Sequence, residues 1–220
     1  MTGARWTVVG PVALVALVLA VLATAHGHAA HAAAAGRTIG QVSAQERAAT
    51  FTFDPTVAPA DRAAFLLAVS HARPEAQRLI ATVDGLVDVH VATTPQGIVG
   101  TTQQIGSRYS VTVNLGKVFA LYGQRGIDRT VLHELGHVVD FALVPPALDA
   151  QLDAAIPRGY GCGQQEMGSC ANERERFAES FAKWATGDIG VDLYLGYKVP
   201  PPPDLTAWGI PLVGLGDVGS

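Results

Sequence analysis

The segment His133-Glu134-Leu135-Gly136-His137 constrains this chain more than any other. Residues four apart on a helix share a face, so the two imidazoles can present nitrogen atoms to one metal ion. Glu134 is rotated about a quarter turn away and can hold a water on that ion without being a ligand. The pattern is typical of zinc hydrolases, in which the carboxylate takes the proton of the attacking water. We therefore expect one Zn²⁺ per chain, with Glu134 as general base.

The sequence around this motif predicts a helix with two different faces. The helix is expected over residues 129–143, capped by Asp128 and stopped by the prolines that follow. Five apolar side chains fall on the side expected to pack on a sheet: Val131, Leu132, Leu135, Val138 and Val139. His133, His137 and Asp140 fall on the opposite side, where Asp140 either orients a ligand or is a solvated acid. The alternative is an ordinary amphipathic helix with two surface histidines.

A catalytic zinc needs a third protein ligand, which the acids downstream of the motif can supply. The candidates are Glu166, Glu173, Glu175 and Glu179, with Asp149, Asp153 and Asp188 as weaker choices. Glu175 and Glu179 share one face of a helix predicted over residues 172–186, and their charges repel each other unless a cation lies nearby. A divalent ion with its imidazoles is such a cation. We expect Glu175 as the ligand and Glu179 as a hydrogen-bond acceptor for a ligand histidine.

The other side chains of this second helix predict how it packs. Three aromatic residues would anchor it to the core: Phe177, Phe181 and Trp184. The small residues Ala178 and Ala182 beside the acids would let it approach the motif helix closely. The alternative is a solvent-exposed face on which Arg174 and Arg176 pair with the acids.

The rest of the sequence predicts an α+β fold. Residues 86–92 and 109–113 alternate as half-buried strands, with Ile98 and Val99 as a further short strand. We expect the strand that ends at Asn114 to offer its edge to an extended peptide. Further helices are expected over residues 62–72 with Asp61 as cap, 74–83, 117–122 ended by Gly123, and 147–155, with irregular chain after residue 187. The predicted architecture is a small twisted sheet with an edge strand over the motif helix, and a mainly helical C-terminal part.

The N-terminal residues predict export. Arg5 precedes an apolar run over residues 8–23 and the small residues Ala23-Thr24-Ala25, which together are typical of a secretory signal. The alternative is an uncleaved membrane anchor, because the run is near the lower limit for a span. We expect a signal over residues 1–25, a linker over 26–50 and one zinc metallopeptidase domain over 51–220. The secreted chain should then have no stable membrane association.

Two further features bear on the compartment and on partners. Cys162 and Cys170 lie in a glycine-rich stretch and are expected to form one disulfide in an oxidising compartment; zinc ligation is the alternative, but the spacing does not suit it. The net charge of −4 without a basic run argues against a nucleic-acid partner. We expect a monomer.

The motif segment 133–140 followed by the segment 172–181 resembles the catalytic domain of anthrax lethal factor. It is also similar to the secreted Pro-Pro endopeptidases, whose small size matches this chain better. The resemblance covers about residues 128–186. It implies a zincin-like fold of the gluzincin type, with zinc held by His133, His137 and the first glutamate of a Glu-x-Phe-Ala-Glu-like segment, here Glu175.

The resemblance also implies a tyrosine a few residues before the ligand glutamate, which steadies the oxyanion. Gly168 occupies the position that aligns without a gap. Tyr160 takes this role if the cysteine loop is an insertion, with Tyr194 and Tyr197 as alternatives.

The expected function is that of a secreted zinc endopeptidase acting on an extended peptide or protein substrate. The motif defines the activated water and not what the water attacks. A zinc hydrolase of a non-peptide amide is therefore one alternative, and a secreted zinc-binding module without catalysis is another.

Overall fold

A four-stranded mixed sheet lies in the part of the chain that the computed structural model describes, residues 50–158, 171–190 and 199–216. Its strands are β1 (Thr52–Phe53), β2 (Val87–Val91), β3 (Gly100–Ile105) and β4 (Arg108–Val113). The strand order is β1-β2-β4-β3, with β1–β2 and β2–β4 parallel and β3–β4 antiparallel. Alternate side chains of β2 and β4 are buried, so both strands predicted from alternation are confirmed within about one residue.

The prediction that the strand ending at Asn114 offers its edge was wrong. β4 is paired on both sides, and Val111 lies opposite Val89 of β2 and Thr102 of β3. Among the described strands, the outer position beside β4 belongs to β3. The sequence placed a short strand at Ile98 and Val99 instead, because the Thr and Gln side chains of β3 show no alternation between apolar and polar residues.

The described residues also form six α-helices, so the fold is α+β as predicted. They are α1 (Pro59–Ser70), α2 (Pro74–Val83), α3 (Leu115–Leu143), α4 (Pro146–Ala154), α5 (Glu173–Thr186) and α6 (Leu205–Val213). Helix α1 begins two residues before the predicted cap Asp61, because Pro59 is well suited to a first turn. Within the described residues, no helix combines the length and the hydrophobicity that a membrane span requires.

Helix α3 carries the motif and is interrupted once, at Gly123. This residue has φ 63° and ψ −155°, a conformation open almost only to glycine, so the predicted end of the short helix is confirmed. The prediction that Asp128 caps the motif helix was wrong, because the second part of α3 starts directly after Gly123. Asp128 lies inside it, where its carboxylate accepts a hydrogen bond from Gln124 (2.7 Å) and contacts His71 Nδ1 (2.9 Å).

The motif part of α3 is buried on both of its faces. Its five predicted core residues are completely buried, and burial of each such side chain contributes about 1.5–3 kcal/mol. His133, Glu134 and His137 are also buried, with exposures of 8%, 5% and 7%. The ligand side is therefore not a surface, because α5 and β3 cover it. The alternative of two surface histidines is excluded.

The last two described helices pack together. Helix α5 begins one residue after the predicted start, because Asn172 is its N-cap and its side chain accepts a hydrogen bond from Glu175 N (3.0 Å); the helix ends at Thr186, with Gly187 as C-cap. Helix α6 contradicts the prediction of irregular chain after residue 187. Its interior Gly209 and Pro211 are poor helix formers, but Gly209 lies directly against the indole of Trp184. Tertiary packing therefore overrides local propensity here.

Candidate metal centre

The centre depends on a close crossing of α3 and α5 at Gly136. A methyl group added to Gly136 would lie 3.1 Å from the Ala178 Cα and 3.2 Å from its carbonyl oxygen, both backbone atoms. Residues this small are needed at both positions for the helices to approach so closely. The sequence predicted the contribution of Ala178 but not that of Gly136. The crossing places Glu175, almost one turn before Ala178, beside the two histidines of the motif.

Three candidate ligand atoms converge at this crossing. Glu175 Oε2 lies 3.1 Å from His133 Nε2, and Glu175 Oε1 lies 3.6 Å from His137 Nε2. All three residues offer one ligand atom within 4.8 Å of the others, which is close enough to hold one metal ion. Two ligands of a tetrahedral zinc, each about 2.0–2.1 Å from the ion, lie roughly 3.3 Å apart. The donor set of two imidazoles and one carboxylate therefore fits a zinc-sized ion.

Two of these groups have strongly shifted pKa values. Burial raises the pKa of the Glu175 carboxyl, but its hydrogen bonds with His133 and His137 outweigh this and hold it well below its usual range. Burial lowers the pKa of His133, but hydrogen bonds with Glu175 and Glu179 outweigh this and raise it to about 10. Without a metal, His133 therefore carries a proton that a metal ion must displace.

Glu179 contacts the far side of His133, as the sequence analysis expected. Its Oε2 lies 3.3 Å from His133 Nδ1, while Arg129 Nη2 donates to Oε1 (2.5 Å) and Lys183 Nζ lies 3.3 Å from Oε1. Burial raises the pKa of Glu179, but His133 and Arg129 outweigh it and hold the pKa at about 2. An ionised Glu179 accepts a hydrogen bond from Nδ1–H of His133, so Nε2 is the nitrogen that a metal ion would bind after displacing its proton.

Arg129 and Lys183 are site residues that the sequence analysis missed. Both are almost completely buried, with side-chain exposures of 1% and 0%. A sequence signal existed, because Arg129 lies four residues before His133 and Lys183 four residues after Glu179. Each cation is thus on the same helix face as the group that it supports.

The arginines of α5 do not form the solvent-exposed face that was the alternative for this helix. Arg174 pairs with Asp140 (2.9 Å) and Arg176 pairs with Asp153. Glu179 is buried, with 4% exposure. The charges of α5 therefore contact other elements of the fold.

The surroundings of His137 differ from those of His133. Its Nδ1 is buried without a hydrogen-bond partner among the described residues. Its ring stacks on Phe141, at 6.0 Å between centroids and 18° between planes, and the guanidinium of Arg174 covers Phe141 at 4.6 Å. Asp140 is buried rather than solvated and pairs with Arg174, and burial with the nearby Asp149 raises its pKa to about 6. The hydrogen bonds of Asp140 thus go to Arg174 and not to a candidate ligand.

Glu134 extends from the motif helix toward β3. Thr102 Oγ1 lies 2.7 Å from Glu134 Oε2, and Gly100 lies directly against the same carboxylate. Burial raises the pKa of Glu134 above its usual value, and the two histidines and the Thr102 hydroxyl only partly oppose this. Neither β3 residue is predictable from local sequence, because both lie more than 30 residues before Glu134 in the chain and no local pattern connects them with the motif.

Several predicted residues lie outside the described part of the chain. They are Tyr160, Cys162, Glu166, Gly168, Cys170, Tyr194 and Tyr197. The oxyanion donor and the disulfide therefore stay predictions. Comparison of the chain with protein-family models, with curated proteins and with solved structures finds no match.

Proposed function

We propose that this protein is a secreted zinc-dependent endopeptidase with His133, His137 and Glu175 as zinc ligands. The observation that supports this most is the convergence of the three ligand atoms beside a buried Glu134. A structural zinc site would be closed by a fourth protein ligand, whereas catalytic sites keep one position open. Among the described residues only these three form such a group. The proposal includes a zincin-like arrangement of the gluzincin type.

The proposed reaction uses Glu134 as the group that moves protons. When bound, Zn²⁺ would acidify a water molecule and polarise the scissile carbonyl. Glu134 accepts a proton as the water oxygen bonds to the carbonyl carbon, and gives it to the amine nitrogen as the C–N bond breaks. A buried carboxylate suits this role, because the raised pKa makes Glu134 a better proton acceptor near neutral pH. We assign stabilisation of the oxyanion to Tyr160.

The proposed substrate is an extended peptide that pairs with the outer edge of β3. An unpaired strand edge offers backbone N–H and C=O groups at the spacing of a second strand. β3 fits this role, because its other edge is paired with β4 and its Thr102 contacts Glu134. A bound peptide would thus run past the general base. The proposed binding strand is therefore β3, and not β4 as the sequence predicted.

The central experiment measures bound zinc and peptide cleavage in the full chain and three variants. We expect about one zinc per chain in the wild type, retained zinc but cleavage reduced about 10²–10⁴-fold in Glu134→Ala, and lost zinc in Glu175→Ala. Glu173→Ala is the matched control, because it removes an exposed carboxylate from the same first turn of α5. It should change neither the zinc content nor the cleavage rate.

The outcomes separate the alternatives. A wild-type protein without bound zinc would contradict the proposal. Stoichiometric zinc with no hydrolysis of any peptide in a library would favour the silent binding module. Hydrolysis confined to non-peptide amides would favour the alternative of a zinc hydrolase that does not act on peptides. Export is tested separately by mass spectrometry of the protein from culture medium, in which we expect residues 1–25 to be missing and Cys162 joined to Cys170.

A further inference from the structure

We propose that Gly100 and Thr102 of β3 are positioning residues for Glu134, and that they set the rate of the reaction without contributing to metal binding. The inference rests on the proposed function of Glu134 as general base. Two contacts join β3 to Glu134, one from each of these residues. Residues two apart on a strand point to the same face, so Gly100 and Thr102 both face α3.

Gly100 leaves the space that the carboxylate fills. A Cβ on Gly100 would lie 2.3 Å from Glu134 Oε1 and 2.8 Å from both Glu134 Cδ and Cγ, so its three nearest neighbours all belong to this one side chain. Carbon and oxygen atoms cannot approach this closely without displacement. The backbone conformation of Gly100 is open to any residue, since no positive φ is found there. The requirement for glycine is therefore the room needed by Glu134, not backbone strain.

Thr102 holds the other carboxylate oxygen. Its hydroxyl is 2.7 Å from Glu134 Oε2 and 3.1 Å from the Glu134 carbonyl oxygen, and one proton can serve only one of them. The carboxylate oxygen Oε2 is the stronger acceptor, because it is charged and lies closer to the hydroxyl. Donation to Oε2 fixes one orientation of the carboxylate, while Gly100 allows Oε1 to stay where it is. Together they select one position for a side chain with several rotatable bonds.

This arrangement separates two tasks between two elements. The α5 helix supplies Glu175 and Glu179 to the histidines, whereas Gly100 and Thr102 of β3 contact the general base. A general base must lie within hydrogen-bond reach of the proton that it takes. Loss of the β3 contacts should therefore slow turnover and leave zinc binding unchanged.

The first arm of the test compares variants of Thr102 in the zinc-loaded full chain. Thr102→Val keeps the shape but removes the donor, and should lower kcat about 10–100-fold at unchanged KM and unchanged zinc content. Thr102→Ser keeps the donor and should restore kcat to within about threefold of the wild type. A Thr102→Val variant with wild-type kcat, or a Thr102→Ser variant as slow as Thr102→Val, would overturn the inference.

The second arm needs no activity and uses the full chain with zinc removed by a chelator. Gly100→Ala should raise the unfolding equilibrium constant at least about tenfold when Glu134 is present, and less than about threefold in a Glu134→Ala background. Gly116→Ala is the control, because Gly116 has no atom near its would-be Cβ and should give the same small change in both backgrounds. Equal effects of Gly100→Ala in the two backgrounds would refute the contact.

The two arms distinguish the inference from the proposed function. If the wild type cleaves no substrate while the zinc-free cycle shows the coupling, the proposed function fails and the contact between β3 and Glu134 stands. If the wild type cleaves peptides and neither Thr102 nor Gly100 is coupled to Glu134, the function stands and the positioning inference fails.

Discussion

The two histidines of the centre lie one helical turn apart, but they are held by different physical interactions. His133 lies among charged side chains: its Nδ1 contacts Glu179, which in turn contacts Arg129 and Lys183. His137 has no hydrogen-bond partner for Nδ1 among the described residues and stacks on an aromatic ring. The difference shows that a metal-binding pair on one helix does not need two equal supports.

The reason for the difference is the direction from which each histidine is covered. His133 lies under the middle of α5, where the Glu179 carboxylate contacts two buried cations, Arg129 and Lys183. His137 lies nearer the end of α3, where Phe141 follows it by four residues on the same face. We expect the charged support to matter for both stability and metal affinity, and the aromatic support mainly for ring orientation.

The largest expected effect is loss of stability in Glu179→Ala. Arg129 and Lys183 would remain buried without their carboxylate, and removal of one partner from a buried ion pair costs about 3–5 kcal/mol. Urea unfolding of the zinc-free chain measures this. Glu173→Ala, the exposed acid on the same helix, should cost less than about 1 kcal/mol. Equal costs in the two variants would show that His133 is not supported by a charge network.

Glu179→Gln should weaken zinc binding about 10–100-fold. The amide keeps the size of the side chain but loses the charge that holds the Nδ1 proton of His133, and substitutions next to metal ligands have costs of this order. Competition with a chromophoric chelator measures the dissociation constant. An unchanged dissociation constant for zinc would show that Glu179 does not support metal binding.

The pH dependence of zinc binding tests the protonation state of His133. Its pKa of about 10 in the zinc-free fold lies above the usual 6.5, so its contacts stabilise the protonated form. That contribution to the stability of the zinc-free fold is present below about pH 6.5 and is lost as the pH rises through about 10. Zinc must displace this proton, so zinc affinity should rise about tenfold per pH unit between roughly pH 7 and 9. Chelator competition at several pH values measures the slope, and a flat profile would contradict the protonated state.

The smallest expected effect belongs to the aromatic support. Phe141→Leu removes the ring that stacks on His137 and should weaken zinc binding by about 0.5–1.5 kcal/mol, which is roughly 2- to 13-fold. Phe119→Leu is the control, because Phe119 is 59% exposed and should leave the constant unchanged. If Phe141→Leu weakens zinc more than Glu179→Gln does, the ranking of the two supports is reversed.

Sequence reasoning succeeded where the relevant residues lie on one helix. The i, i+4 spacing places His133 with His137 and Glu175 with Glu179, and both pairs occupy shared faces in the fold. Sequence reasoning failed where pairing partners are far apart in the chain. The edge was assigned to β4 instead of β3, because strand alternation shows which faces are buried but not which neighbour pairs with which edge.

Local sequence patterns are enough to predict the two-histidine motif on a helix, the second helix with two acids, and the α+β class. Only packing between distant segments brings Gly136 against α5, Arg129 against Glu179, and β3 against the general base. The physical reason is that helix geometry sets side-chain neighbours within a few residues, whereas Thr102 and Glu134 are 32 residues apart and meet only through packing.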